Sequence, residues 1–209
     1  MIDADLRERV REYYEGLLQK HGATALGVDW KSESSQALRF RQLEHLWEDD
    51  PDASLIDYGC GYGALADYIR SRGHRGAYTG FDISRQMTNA AVQRTGRLTG
   101  CEWTDDRGRL TPAAYAIASG VFNVKLDVND EEWRAYIRRA LADLASLGTR
   151  GFAFNALTSF SDPDKRRADL HYADPFELFD YCRRSYSRFV TLIHDYPLYE
   201  FTMLVRVDH

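Results

Sequence analysis

Apolar residues recur along this chain at two periods, and the alternation between them predicts the architecture. Over residues 5–20, Leu6, Val10, Tyr13, Tyr14 and Leu17 return every three or four positions, which reads as a helix ending at Gly22; both tyrosines could reach a ligand pocket, but this spacing reads better as core. Residues 21–31, with Gly27-Val28-Asp29-Trp30, read as an exposed loop. Ser32 is placed to cap a second helix running to about Trp47, with Leu38, Leu43 and Leu46 on its apolar side. After the break at Asp49-Asp50-Pro51-Asp52, short apolar runs alternate with helical patterns. Strands are expected over 53–57, 77–83, 114–119 and 151–157, with a weaker one near Cys101. Helices are expected over 64–70, 84–93, 130–147 and 175–184; the third should carry a capping box of Asn129 and Glu132 and stop at Gly148. The last two strands, 188–195 and 199–207, follow one another across Tyr196-Pro197 with no helix between them. Strands separated by helices run parallel, and strands joined by a short turn run antiparallel. The predicted fold is therefore α/β and doubly wound: a mostly parallel seven-stranded sheet, one antiparallel strand near the C-terminus, and helices on both faces.

Composition narrows the class. The 209 residues are 44% hydrophobic and 28% charged with a net charge of −5, which suits one ordinary domain and lacks the basic footprint of a nucleic-acid binder. Arg138-Arg139 and Lys165-Arg166-Arg167 read as solvated helix faces. No run approaches the roughly 20 apolar residues of a membrane span. The start, Met1-Ile2-Asp3-Ala4-Asp5, is acidic with no apolar run behind it, and the sparse cysteines make a reducing cytoplasm the expected location. Cys60, Cys101 and Cys182 are odd in number and far apart, and the six histidines lack ligand spacing, so neither a disulfide framework nor a bound metal is expected.

The chemistry concentrates in Leu55-Ile56-Asp57-Tyr58-Gly59-Cys60-Gly61-Tyr62-Gly63-Ala64-Leu65, a buried strand entering a glycine turn that opens a helix. Gly59 and Gly61 let the backbone bend sharply and let a ligand approach without meeting a Cβ. The helix start behind them offers unpaired N–H groups. Asp82 ends the next strand, beside the turn at the switch point of a doubly wound sheet, where a carboxylate can accept both hydroxyls of a ribose. Gly59-x-Gly61-x-x-Ala64 also satisfies the dinucleotide fingerprint, so a nicotinamide-dependent oxidoreductase and a non-catalytic nucleotide-binding module stay open here. The helix-free closing strands and the short remainder of the chain favour a methyl donor.

At these residues the sequence resembles the class I S-adenosylmethionine-dependent methyltransferases. Their first motif looks like Asp57-x-Gly59-x-Gly61-x-Gly63, their second like Gly80-Phe81-Asp82-Ile83-Ser84, and their fourth-strand segment like Ala118-Ser119-Gly120-Val121-Phe122-Asn123. The resemblance implies Asp57 near the methionine amino group, the three glycines against the cofactor, and Asp82 on the ribose. It also implies Ile83 and Met87 beside the adenine, and Ser119 and Gly120 under the donor. A partner for the adenine amino group is expected among residues 102–106, where Trp103 stands. Residues 1–50 should form a helical lid on a methyltransferase domain spanning 51–209, with Trp30, Gln36 and Arg39 at the donor and Arg39 paired with its carboxylate.

Activity would be in-line methyl transfer to a small molecule with an O, N or C nucleophile; transfer to RNA or protein is the alternative. A general base is needed only if the acceptor must lose a proton. Asn123, Lys125, Asn155, His171, Tyr172 and His194 are polar candidates with no assigned role, His194 reading best as a core histidine. The expected partners are a small-molecule acceptor and, at most, a second copy in a homodimer, with no membrane and no nucleic acid.

Overall fold

The computed structural model describes residues 4–96 and 98–207; Met1 to Asp3, the first part of the acidic start, lie outside them, as do Arg97 and the last two residues. The elements run α1 Ala4–His21, α2 Glu33–Glu44, β1 Leu55–Tyr58, α3 Ala64–Ser71, β2 Tyr78–Phe81, α4 Arg85–Thr95, β3 Cys101–Thr104, β4 Ala113–Ala118, α5 Asp130–Leu147, β5 Gly148–Leu157, α6 Pro175–Ser185, β6 Phe189–Ile193 and β7 Glu200–Arg206. Local chemistry starts the helices where expected. The Ser32 side chain accepts the Ser35 N–H and Ser84 accepts that of Met87. Asn129 accepts the Glu132 N–H, and three acidic residues follow in the first turn of α5, where the helix dipole favours them.

The sheet order is β3-β2-β1-β4-β5-β7-β6. β7 runs antiparallel to both neighbours and every other pairing is parallel, so one strand is reversed, as predicted. The chain steps outward from β1 to β3 and then returns to place β4 on the other side of β1. That reversal opens a crevice at the carboxyl ends of β1 and β4, where Asp57 lies.

Side chains alternate across the sheet and build a core on each face. Phe152 and Phe154 of β5 point to one face with Ile137, Leu141 and Leu144 of α5 and Leu178 of α6. Ala153 points to the other, with Phe40 and Leu43 of α2 and Leu65 and Ile69 of α3. Within residues 1–50, α2 packs on the sheet through Phe40 and Leu43 and also reaches the crevice through Gln36 and Phe40.

One local expectation changes, and one connection is unusually short. Residues Ala25–Val28 form a 3-10 turn rather than an exposed loop, with Gly27 buried so closely on Gly22 that a Cβ would lie 2.1 Å from its carbonyl oxygen. The segment between β3 and β4 holds only the 3-10 turn Arg107–Arg109. The helix that usually fills such a parallel crossover is absent among the described residues, and Leu6 of α1 packs on the face it would cover, against the cluster holding Tyr58 and Phe81.

Candidate active site

A cavity opens at the switch point. Its floor is the β1 turn (Asp57 to Tyr62), the β2 end (Phe81 to Ser84) and Ser119-Gly120-Val121 after β4. Its roof is α1 together with Val28 and Trp30.

Burial sets the state of the two carboxylates. Asp57 is 2% exposed; its Oδ2 accepts the Tyr78 hydroxyl at 2.5 Å, and its Oδ1 has no partner among the described residues. Burial pushes this carboxyl up to about 7, the Tyr78 hydrogen bond opposes the rise, and the charge of Asp82 adds to it. Asp82 accepts the Gly61 N–H through Oδ2 and the Ser84 N–H through Oδ1, each at 2.9 Å. Burial raises it to about 6 against those two bonds. Each carboxylate oxygen has two lone pairs, so Asp82 keeps acceptor capacity for a ligand. Between the two acids, Gly61 sits at φ +52°, and a Cβ there would lie 3.3 Å from Val28.

The roof is fastened at several points. Glu15 accepts the Ser84 hydroxyl at 2.8 Å and the Gln86 amide at 2.9 Å, and Arg9 pairs with Asp127. Arg167 holds Asp29 at 3.0 Å, the Tyr13 oxygen at 3.1 Å and Asp169 at 2.6 Å, while the Tyr13 hydroxyl donates to Asp29 at 2.8 Å. Arg167 is thus a latch between the roof and the β5–α6 segment, not part of a solvated helix face. Trp30 lies so close to Gly120 that a Cβ there would be 2.5 Å from its ring. From β5, the fully buried Asn155 sets the same turn, accepting the Gly120 N–H at 2.9 Å and donating to the Ser119 hydroxyl at 3.2 Å.

Of the residues singled out from the sequence, Asp57, Gly59, Gly61, Asp82, Ile83, Met87, Trp30, Gln36, Ser119 and Gly120 line the cavity together. Three do not. Arg39 turns away to a bidentate pair with Glu200, 2.7 and 2.5 Å, and stacks on the Trp30 ring at 3.9 Å. It braces the roof from behind and is not available to a ligand carboxylate. Trp103 packs over Gly80 and Gly63, where Cβ atoms would lie 2.3 and 2.9 Å from its ring. Gly63 is thereby a close-packing position beneath α3, outside the cavity. None of Asn123, Lys125, Asn155, His171, Tyr172 and His194 reaches the cavity, and His194 is exposed against the Phe160 ring rather than in the core.

Sequence reasoning missed Arg7, Arg11, Val28, Tyr58, Trp133 and Tyr136 in the lining, and it assigned Tyr14 to the core. A signal existed. Leu6, Arg7, Val10, Arg11 and Tyr14 form one stripe of α1 at spacings of four, and that stripe faces the cavity.

This fold and site define a Rossmann-like protein with a ligand-sized cavity at the switch point of its sheet. A family model described as a methyltransferase domain matches residues 30–187. A Mycobacterium tuberculosis (strain ATCC 25618 / H37Rv) protein named "Putative methyltransferase Rv1506c" is 52% identical over 157 residues, 73% of this chain and 92% of that protein. Among solved structures, magnesium protoporphyrin IX methyltransferase from Synechocystis PCC 6803 with bound SAM has a TM-score of 0.68 at 17% identity, covering 99% of this chain and 100% of that one. The N-methyltransferase NodS from Bradyrhizobium japonicum WM9, in complex with S-adenosyl-l-homocysteine, has a TM-score of 0.66 at 16% identity, covering 94% and 97%. The chain belongs to the methyltransferase-domain family and has the class I fold of the methyltransferase structures it matches. The oxidoreductase reading of the glycine turn falls away.

Proposed function

We propose that the crevice holds S-adenosylmethionine with its amino acid end at Asp57 and its ribose at Asp82, and that the acceptor is a small molecule. The residues fit the donor. A buried carboxylate oxygen without a partner is costly, and an ammonium group beside Asp57 Oδ1 would satisfy it. The Gly59–Gly61 bend admits a ligand at backbone distance, and Ile83 and Met87 offer apolar surface beyond the sugar. When bound, the donor supplies a methyl group already activated on a sulfonium. The chain's own contribution is then alignment of the acceptor and exclusion of water.

The roof carries the small-molecule reading. α1 and Trp30 close over the cradle and leave a cavity walled largely by apolar and aromatic side chains, the usual character of a small-ligand pocket. A net charge of −5 adds no attraction for a polyanion. No described helix is long and apolar enough to cross a membrane; with three free thiols, we take the protein to act in the cytoplasm, as a monomer or homodimer. The test is to incubate the protein with methyl-labelled donor and cell extract, then separate small molecules from acid-precipitable RNA and protein. Label is expected in the small-molecule fraction. Enzyme-dependent label confined to the precipitate would overturn the acceptor assignment.

The carboxyl groups also predict how binding follows pH. Without ligand, Asp57 keeps its proton to about 7, whereas the unfolded carboxyl loses it near 4; this group therefore costs stability as pH rises through that window. A ligand ammonium needs the ionised form. Affinity for S-adenosylhomocysteine should rise about tenfold per pH unit up to about 7 and then level off. The slope should steepen below about 6, where Asp82 also takes up a proton. Calorimetric titrations from pH 5.5 to 8 read this directly, and an affinity flat across that range would contradict it.

A further inference from the structure

We propose that the base of the donor is recognised by the roof helix α1, through Tyr14 facing Tyr136 of α5, rather than by residues following β3. The inference rests on the donor placement given above. Asp57 takes the amino acid end and Asp82 the ribose, so the next group along the ligand is the base, and it must lie past Asp82 on the side away from Asp57.

Residues after β3 do not meet it there. None of residues 101–112 lines the cavity. Their polar groups are spent locally: Thr104 Oγ1 accepts the Asp106 N–H at 3.1 Å, and Asp106 accepts the Gly108 N–H at 2.8 Å. Asp105 and Asp106 are exposed. The connection is tied outward to α5 by Arg107 on Asp143.

α1 does reach the place. Glu15 bonds Ser84 and Gln86, which sets the neighbouring Tyr14 over the β2–α4 turn. Val10, Tyr14, Tyr58, Phe81, Val121 and Tyr136 are all in the cavity lining and give it aliphatic and aromatic surface suited to a planar ring. The hydroxyls differ in availability. Tyr58 gives its own to Asp143 at 3.1 Å and Tyr13 gives its own to Asp29. Those of Tyr14 and Tyr136 have no hydrogen-bond partner among the described residues, although both rings line the cavity. Burial is the main cause holding both above the usual phenol range, and each also feels the charge of Asp82, so both stay protonated. A neutral phenol donates and accepts, matching an edge that carries ring nitrogens beside an amino group. Reading the base and closing the roof are then one event.

The test compares S-adenosylhomocysteine with S-ribosylhomocysteine, which lacks the base, by calorimetry on the full chain. Tyr14→Ala is expected to weaken the adenosyl ligand at least tenfold and leave the ribosyl ligand unchanged. Tyr14→Phe, which keeps the ring, should weaken the adenosyl ligand about fivefold through one lost hydrogen bond. Asp105→Ala and Asp106→Ala should change neither ligand. In amide exchange, the adenosyl ligand should slow α1 and the ribosyl ligand should not. Equal loss of both ligands in Tyr14→Ala, wild-type affinity in that variant, equal slowing of α1 by both ligands, or selective loss of the adenosyl ligand in Asp105→Ala overturns the inference alone. Failure of the wild type to bind S-adenosylhomocysteine overturns it together with the donor placement.

Discussion

Asp82→Ala is expected to lower affinity for S-adenosylhomocysteine at least a hundredfold while the chain stays folded. The carboxylate would accept two ribose hydroxyls, and hydrogen bonds to a charged group contribute about 1.5–3 kcal/mol each. Their sum, roughly 3–6 kcal/mol, corresponds to about two to four powers of ten in affinity. Its bonds to Gly61 and Ser84 also hold the turn in shape, so preorganisation is lost with the contacts. Stability should move little, because removing a carboxylate that burial disfavours offsets the two lost backbone bonds. Calorimetry and a thermal melt on the same preparation separate the effects. Undiminished binding by the variant would remove the ribose assignment.

The second large effect lies behind the roof. Glu200→Ala should lower the melting temperature by about 10 °C, because breaking a buried pair costs about 3–5 kcal/mol and a chain of this size loses roughly 2–4 °C per kcal/mol. The Arg39 and Glu200 side chains are 8% and 1% exposed, so the guanidinium, left among the described residues with only the Ser35 carbonyl as hydrogen-bond partner, has little access to water. An apolar replacement of both partners, Arg39→Met with Glu200→Leu, should recover most of that stability. It should not recover donor affinity, since Trp30 loses the cation stacked on its ring and with it the brace that holds it over Gly120. If the double variant binds S-adenosylhomocysteine as well as wild type, the pair serves folding alone.

The pair also marks where reading a sequence stops. The helix starts at Ser32, Ser84 and Asn129 were legible because a cap acts over three or four residues of one chain segment. The β1 turn was legible because its glycines and its strand-end carboxylate are adjacent in sequence. Asp82 was legible because parallel pairing of β1 with β2 brings the two strand ends together, with Asp57 opposite Gly80. Arg39 was misassigned because its partner, Glu200, sits 161 positions away on the reversed strand. Trp103 was misassigned because period-two alternation says that a strand residue has a face, not which layer covers it, and Gly63 was misassigned with it because the Trp103 ring covers that turn position. Tyr14 looked like core for a related reason: an apolar stripe on a helix gives no sign whether it meets a packed layer or the roof of a cavity.

What the amino-acid order determined unaided was therefore whatever short-range physics controls: two periodicities, caps, a glycine bend, and a helix-free end that forced one strand to reverse. The tertiary structure alone decided which side chains face the ligand. With no helix between β3 and β4, α1 packs beside α5 on that face of the sheet, and Tyr14 stands in the cavity wall while Arg39 and Trp103 brace and pack elsewhere. Such partners are chosen by how layers stack and by burial that leaves few charges unpaired, and both depend on the whole chain at once.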